Sequence, residues 1–144
     1  MTSLKDAYPS VFLSLTDVDL PVGFTNDYSK YIEFKPLAKG GKAILQTCMD
    51  QALGRIVVHK SIHPHLQDNI RERRRFMREA RISAQLQHPN TIPIYEIGRT
   101  PDDNLYFTMK RIAGLNLYQV MDRLKWGFPS AEADFNLDRL LEIL

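Results

Sequence analysis

The sequence predicts an α+β fold, a five-stranded antiparallel sheet carrying one major helix. Three observations predict it. Five short segments alternate or run apolar between glycine, proline and Asx turns, which is strand chemistry. One long charged segment between the third and fourth of them, reaching Leu86, has helical periodicity instead. Tight turns join the first three strands, as an antiparallel meander requires.

Residues 1–30 mix short apolar pieces with Pro9, Pro21 and Gly23 and read as an irregular leader. Residues 31–37 alternate like a strand, Gly40-Gly41 breaks the run, and residues 43–49 form the second strand of a hairpin. After a turn over 50–54, the third strand runs from Gly54 to Lys60. Its period of two places Val58 and Lys60 on one face and His59 on the other. A connection containing Pro64 leads into the helix, where Ile70, Phe76, Met77, Ala80 and Ala84 share an apolar face opposite Arg71, Arg74, Arg78, Arg81 and Gln85. Glu79 falls at the margin of that face, where its carboxylate can turn toward a strand lysine if the helix covers the sheet. His88-Pro89-Asn90 stops the helix, because proline disfavours helical geometry in the residue before it. Residues 91–98 and 105–110 read as the last two strands, about a turn over 100–104. Residues 117–124 are helix-like, 126–134 read as a loop, and Asn136 reads as the N-cap of a final helix over 137–144. The expected division is a leader over 1–30, the sheet with its helix over 31–114, and a helical segment over 115–144.

At 144 residues, 44% hydrophobic and 25% charged, the composition is that of one ordinary globular domain, and a net charge of +2 does not point to nucleic acid. Cys48, the only cysteine, excludes an internal disulfide and a cysteine-pair zinc site and fits a reducing compartment, so the cytoplasm is expected. It is most simply a packed thiol. The apolar run at 11–15 is too short for a signal peptide or a membrane span, and no membrane association is expected. His63 and His65 flank Pro64 in a connection, and no metal site is expected. The helix arginines read either as a solvated face or as a surface for phosphate or an acidic partner.

The order strand, glycine turn, strand, lysine strand and glutamate helix resembles the N-terminal lobe of a protein kinase. Val57-Val58-His59-Lys60 matches the V-A-I-K pattern at its ends. Arg75-Phe76-Met77-Arg78-Glu79-Ala80-Arg81 and the run from Leu86 to Gly98 are similar to bacterial, Hanks-type serine/threonine kinases. Tyr106-Phe107-Thr108-Met109-Lys110 and Gly114 match the last N-lobe strand and the hinge. The resemblance covers about residues 31–121 and extends the predicted fold to an N-lobe plus the first helices of a C-lobe. It implies ATP as ligand, with Lys60 on the α- and β-phosphates and Glu79 fixing Lys60. It implies a phosphate loop at Leu37, Ala38, Lys39, Gly40 and Gly41, with Leu45 and Val58 beside the nucleotide. It implies Met109 as the gate of the adenine pocket and the Lys110 carbonyl and Ile112 N–H as hinge contacts. Of the G-x-G-x-x-G pattern only the central glycine, Gly40, is present, so 38–43 reads either as a phosphate loop helped by Lys39 and Lys42 or as a plain hairpin turn. Val58 stands where alanine is usual, and its added methyls crowd the adenine side.

The sequence contains no H-R-D and no D-F-G motif, and Asp134-Phe135-Asn136 reads as a helix-entry turn. The expectation is therefore an ATP-binding portion that stops before the catalytic loop and does not turn over alone, with Mg2+ held only in a complete domain. The alternative is a stand-alone pseudokinase fragment acting as a protein-interaction module. Leu137, Leu140, Leu141 and Leu144 fall on one helix face, and at roughly 1.5 to 3 kcal/mol per buried leucine that face calls for a protein partner, self-association or further chain.

Overall fold

The computed structural model describes residues 18–127. It contains β1 (Tyr31–Lys39), β2 (Ala43–Asp50), β3 (Arg55–Ile62), α1 (Ile70–Gln85), β4 (Ile94–Arg99), β5 (Leu105–Lys110) and α2 (Leu117–Lys125), with single 3-10 turns at Tyr28–Lys30 and Pro64–Leu66. The strands form one antiparallel sheet in the order β1-β2-β3-β5-β4. Sheet and α1 make one compact unit, and residues 88–90 with 112 onward make a second. The expected fold class holds. The loop expected beyond Gly127, the Asp134-Phe135-Asn136 turn, the 137–144 helix and the leader up to Asp17 lie outside the described residues.

Local chemistry sets the element ends. The Asn69 side chain caps α1 by accepting from the amides of Arg71 at 3.1 Å and Glu72 at 3.2 Å. β4 starts at Ile94 and not at Thr91, because Pro93 has no N–H to give the ladder, although its carbonyl accepts from the Lys110 amide at 3.0 Å. β1 carries a register shift between Ile32 and Lys35, and Glu33 within it sits at φ 55°, the left-handed geometry that an inserted residue brings. In the second unit, α2 begins with a capping box in which Asn116 Oδ1 accepts from the Gln119 amide and Gln119 Oε1 from the Asn116 amide.

The central strands of the sheet are buried on both faces. On the α1 side, Phe76, Met77 and Ala80 pack with Ile62, Leu105, Phe107 and Leu20. Ile70 and Ala84, expected on the same apolar face, are exposed, because burial is confined to the central turns of the helix. On the other side, Tyr31, Cys48, Val57 and Tyr106 form a second cluster flanked by Tyr28 and Phe34. His59 lies within it, stacked on Tyr106 with ring centroids 4.8 Å apart and with its Nε2 3.3 Å from the Tyr28 hydroxyl. Burial lowers its pKa from 6.5 to about 4, so it is a neutral core histidine. Glu96 closes this layer, accepting from the hydroxyls of Tyr31 at 2.9 Å and Tyr106 at 3.1 Å and from Lys30.

Candidate functional site

Antiparallel pairing aligns one residue from every strand into rungs that share a face. Ala38 pairs with Leu45, Leu45 with Lys60, Lys60 with Phe107 and Phe107 with Ile97, a rung across the whole sheet. Two residues along, Thr47, Val58 and Met109 make the next rung on the same face. Since Phe107 packs with Phe76 of α1, this is the helix-covered face, and Lys60 points under the helix.

There the Lys60 ammonium donates to Glu79 Oε1 across nineteen residues of sequence. The ammonium also stands 5.4 Å from the centre of the Phe107 ring. The Lys60 side chain is 18% exposed and that of Glu79 51%, so the lysine is sheltered while the carboxylate opens to solvent. A half-exposed ion pair contributes about 1 kcal/mol or less to stability, so its effect is to place the lysine rather than to hold the fold. Arg75, the local competitor for Glu79 one turn back, makes no hydrogen bond to it.

The pair borders a cleft of about 440 Å³ between β2, β3 and α1, lined by Lys42, Lys60, Arg75 and Arg78 against Glu72 and Glu79. Cations outnumber carboxylates there, so the cleft suits an anion. Lys42 Nζ donates to Glu72 Oε1 at 2.8 Å, which ties the turn after β1 to the first turns of α1. On its other side Glu79 borders an apolar groove of about 340 Å³, whose lining includes Leu86, Ile94, Phe107 and Met109.

The comparisons with known proteins fit this geometry. No family model matches the chain. Serine/threonine-protein kinase pkn3 of Myxococcus xanthus is 32% identical over 74% of this chain and 19% of its own length. Serine/threonine-protein kinase PknD of Chlamydia muridarum is 35% identical over 64% of this chain and 10% of its own length, and PknD of Chlamydia pneumoniae 38% identical over 61% and 9%. The solved structure of PpkA-294 in its apo form shares the fold at TM-score 0.55 and 17% identity, covering 73% of this chain and 43% of that one. This chain is homologous to the N-lobe of bacterial serine/threonine protein kinases. It spans 9% to 19% of these curated relatives' length.

In this kinase-type N-lobe, Leu37, Ala38 and Lys39 belong to β1, and the turn is confined to 40–42, closed by the Gly40 amide on the Ala43 carbonyl at 2.9 Å. Neither Gly40 nor Gly41 takes a positive φ, so neither uses the left-handed geometry that glycine permits. Leu45 and Val58 share the face of Lys60, with Val58 buried. Met109 and Lys110 end β5, whereas Ile112 lies in the second unit and is exposed. His63 and His65 bring their Nδ1 atoms within 2.8 Å, but among the described residues no three metal-ligating side chains gather. No helix among the described residues is long and apolar enough to cross a membrane.

Pattern reading missed Asp19, Arg73 and Arg99. Asp19 Oδ2 accepts from Arg73 Nη2 at 2.7 Å and Nε at 3.1 Å, and Arg99 Nη2 approaches Oδ1 at 3.4 Å. Burial pushes the Asp19 carboxyl up, but the hydrogen bonds from Arg73 and the Leu20 amide outweigh it and hold the group below the usual carboxylate range. The partners are 54 and 80 residues apart, so no local spacing could have announced them.

Proposed function

We propose that this domain binds ATP as the N-lobe portion of a serine/threonine protein kinase. The observation that carries the reading is the Lys60 ammonium, sheltered under α1 and fixed by Glu79 at the rim of a cationic cleft. A lysine held by a carboxylate is oriented before phosphate arrives, which lowers the entropy cost of placing a flexible ammonium. Lys60 takes the α- and β-phosphates, the 37–41 segment lies over them, Leu45 and Val58 contact the base, and the backbone of Lys110 and Ile112 with the Met109 side chain completes the adenine contacts. The sequence lacks the H-R-D aspartate and the D-F-G metal ligand, so the chain alone does not transfer phosphate, and Mg2+ is held where a complete domain supplies those groups. We place the protein in the cytoplasm, with residues 137–144 as its contact for a partner or a second copy.

One set of observations favours a second reading, a pseudokinase-type interaction module. Lys42 is engaged by Glu72, neither turn glycine takes a positive φ, and Val58 fills the alanine position. Calorimetric titration with ATP separates the two. A charge-assisted hydrogen bond is worth about 1.5 to 3 kcal/mol, so Lys60→Ala is expected to weaken ATP binding roughly ten- to hundredfold. A wild-type chain that takes up no ATP, or a variant that binds equally well, leaves the interaction reading in its place.

A further inference from the structure

Helix α1 carries Glu79, so whatever sets the roll of α1 about its own axis sets whether Glu79 meets Lys60. Helical geometry gives α1 two flanks beside its buried stripe. Glu72 and Glu79, seven residues apart, lie on one, and each takes a lysine from the sheet. Arg73 and Arg81 lie on the other, with the buried Met77 between them at four-residue steps, and all three meet the segment that precedes the first strand. Arg73 donates twice to Asp19, Arg81 donates to the Val18 carbonyl, and Leu20 is buried in the cluster that includes Met77 and Ala80.

That segment is anchored again where it passes the sheet edge. Arg99 Nη2 donates to the Leu20 carbonyl at 3.3 Å. The Asn26 side chain then brackets Arg99 of the edge strand β4, accepting from its amide at 3.0 Å and donating to its carbonyl at 3.1 Å, as a neighbouring strand would. Gly98 beneath it leaves the room, since a Cβ there would come within 2.8 Å of Asn26 Cγ and the Tyr106 hydroxyl. Tyr28, two residues on, packs on the opposite face of the sheet. The segment therefore runs from the far flank of α1, round the β4 edge, to the back of the sheet.

We propose that residues 18–28 are a strap that fixes the roll of α1, with Asp19 and Leu20 as positioning residues for Glu79, so that releasing the strap opens the Lys60–Glu79 pair and weakens nucleotide binding. A roll that lifts Glu79 off Lys60 must carry Arg73, Met77 and Arg81 along the strap. Asp19 and Leu20 resist that movement with a two-point guanidinium contact and a buried side chain. The half-exposed Lys60–Glu79 pair is too weak to impose the roll by itself. The nucleotide consequence rests on the ATP-binding reading above, whereas the control of α1 does not.

The test uses the whole chain as wild type, Asp19→Ala, Leu20→Ala and the conservative Asp19→Glu. Amide hydrogen exchange without nucleotide is expected to accelerate roughly tenfold or more over 70–85 in the two alanine variants, with residues 43–62 and 105–110 unchanged and Asp19→Glu close to wild type. Lys60, freed of its carboxylate, should be acylated faster by a small amine-reactive reagent in the same two variants. ATP titration should weaken by about the factor that Glu79→Ala produces. Exchange that is unchanged over 70–85, or that rises equally across the sheet, overturns the proposal. So does Lys60 labelling at the wild-type rate. Should wild type itself bind no ATP, the nucleotide reading fails, while exchange over 70–85 and Lys60 labelling still decide the strap. Asp19→Ala alters a partly exposed side chain, so it keeps the question answerable if Leu20→Ala does not fold.

Discussion

Phe107→Ala is expected to destabilise the sheet unit by about 3 to 5 kcal/mol, the largest effect of any single truncation proposed here. Phe107 is 1% exposed and stands at the middle of the five-strand rung, its ring 5.0 Å from that of Phe76 on α1. Removing it takes the transfer free energy of a phenyl ring and leaves a cavity between sheet and helix that rigid neighbours cannot fill. Domains of this size are stable by roughly 5 to 15 kcal/mol, so a large share of the total is at stake. Urea denaturation reads it as a drop in midpoint at unchanged slope. The same ring is the platform under the Lys60 ammonium, so Phe107→Leu, which leaves a far smaller cavity than alanine, should retain most of the stability while removing the aromatic face. A loss under 1 kcal/mol for Phe107→Ala would mean that α1 is not seated on this rung.

Acidification should destabilise the fold through His59, and His59→Phe should abolish that component. Unfolded, the imidazole titrates near 6.5; folded, burial lowers it to about 4. A group with a depressed folded pKa binds more protons when unfolded between the two values, so stability rises with pH across that window. The histidine costs nothing above pH 6.5, its penalty grows as pH falls toward 4, and below 4 it levels off because the folded form is protonated too. At 1.36 kcal/mol per unit the shift is worth about 3 kcal/mol. Other carboxylates titrate in the same range, so the measurement is the difference between wild type and His59→Phe in urea melts from pH 7 to 4. Phenylalanine preserves the stack on Tyr106 and the edge contact of Phe34, 5.3 Å away, and forgoes only the Tyr28 hydroxyl contact. Equal pH slopes in the two proteins would place His59 in contact with water.

Much of the sheet was legible because period-two alternation and turn residues are local signals. At Gly40-Gly41 and at the turn over 100–104 the strand edges moved by only a residue or two in space, and β5 fell on 105–110. The same alternation put Val58 and Lys60 on one face, and the helical period put Glu79 within reach of it. Pattern could not say which ion pairs form. Glu79 has Arg75 one turn away on its own helix, yet its partner is a lysine on another element, because the helix lies across β3. Nor could alternation show that the His59 side of the sheet is covered. Tyr28, Tyr31 and Phe34, Glu96, and Tyr106 come from three separate stretches of chain and meet only when the strands pair.

By itself, then, the sequence determined the strands, the major helix, the facing of Lys60 and a kinase-type order of elements, since each depends on residues close together in the chain. Tertiary structure alone decided that Lys42 takes Glu72 and that Asp19 reaches Arg73 and Arg99. Those choices follow from how sheet, helix and leading segment pack, and packing is settled by total burial over contacts distant in sequence rather than by any local preference.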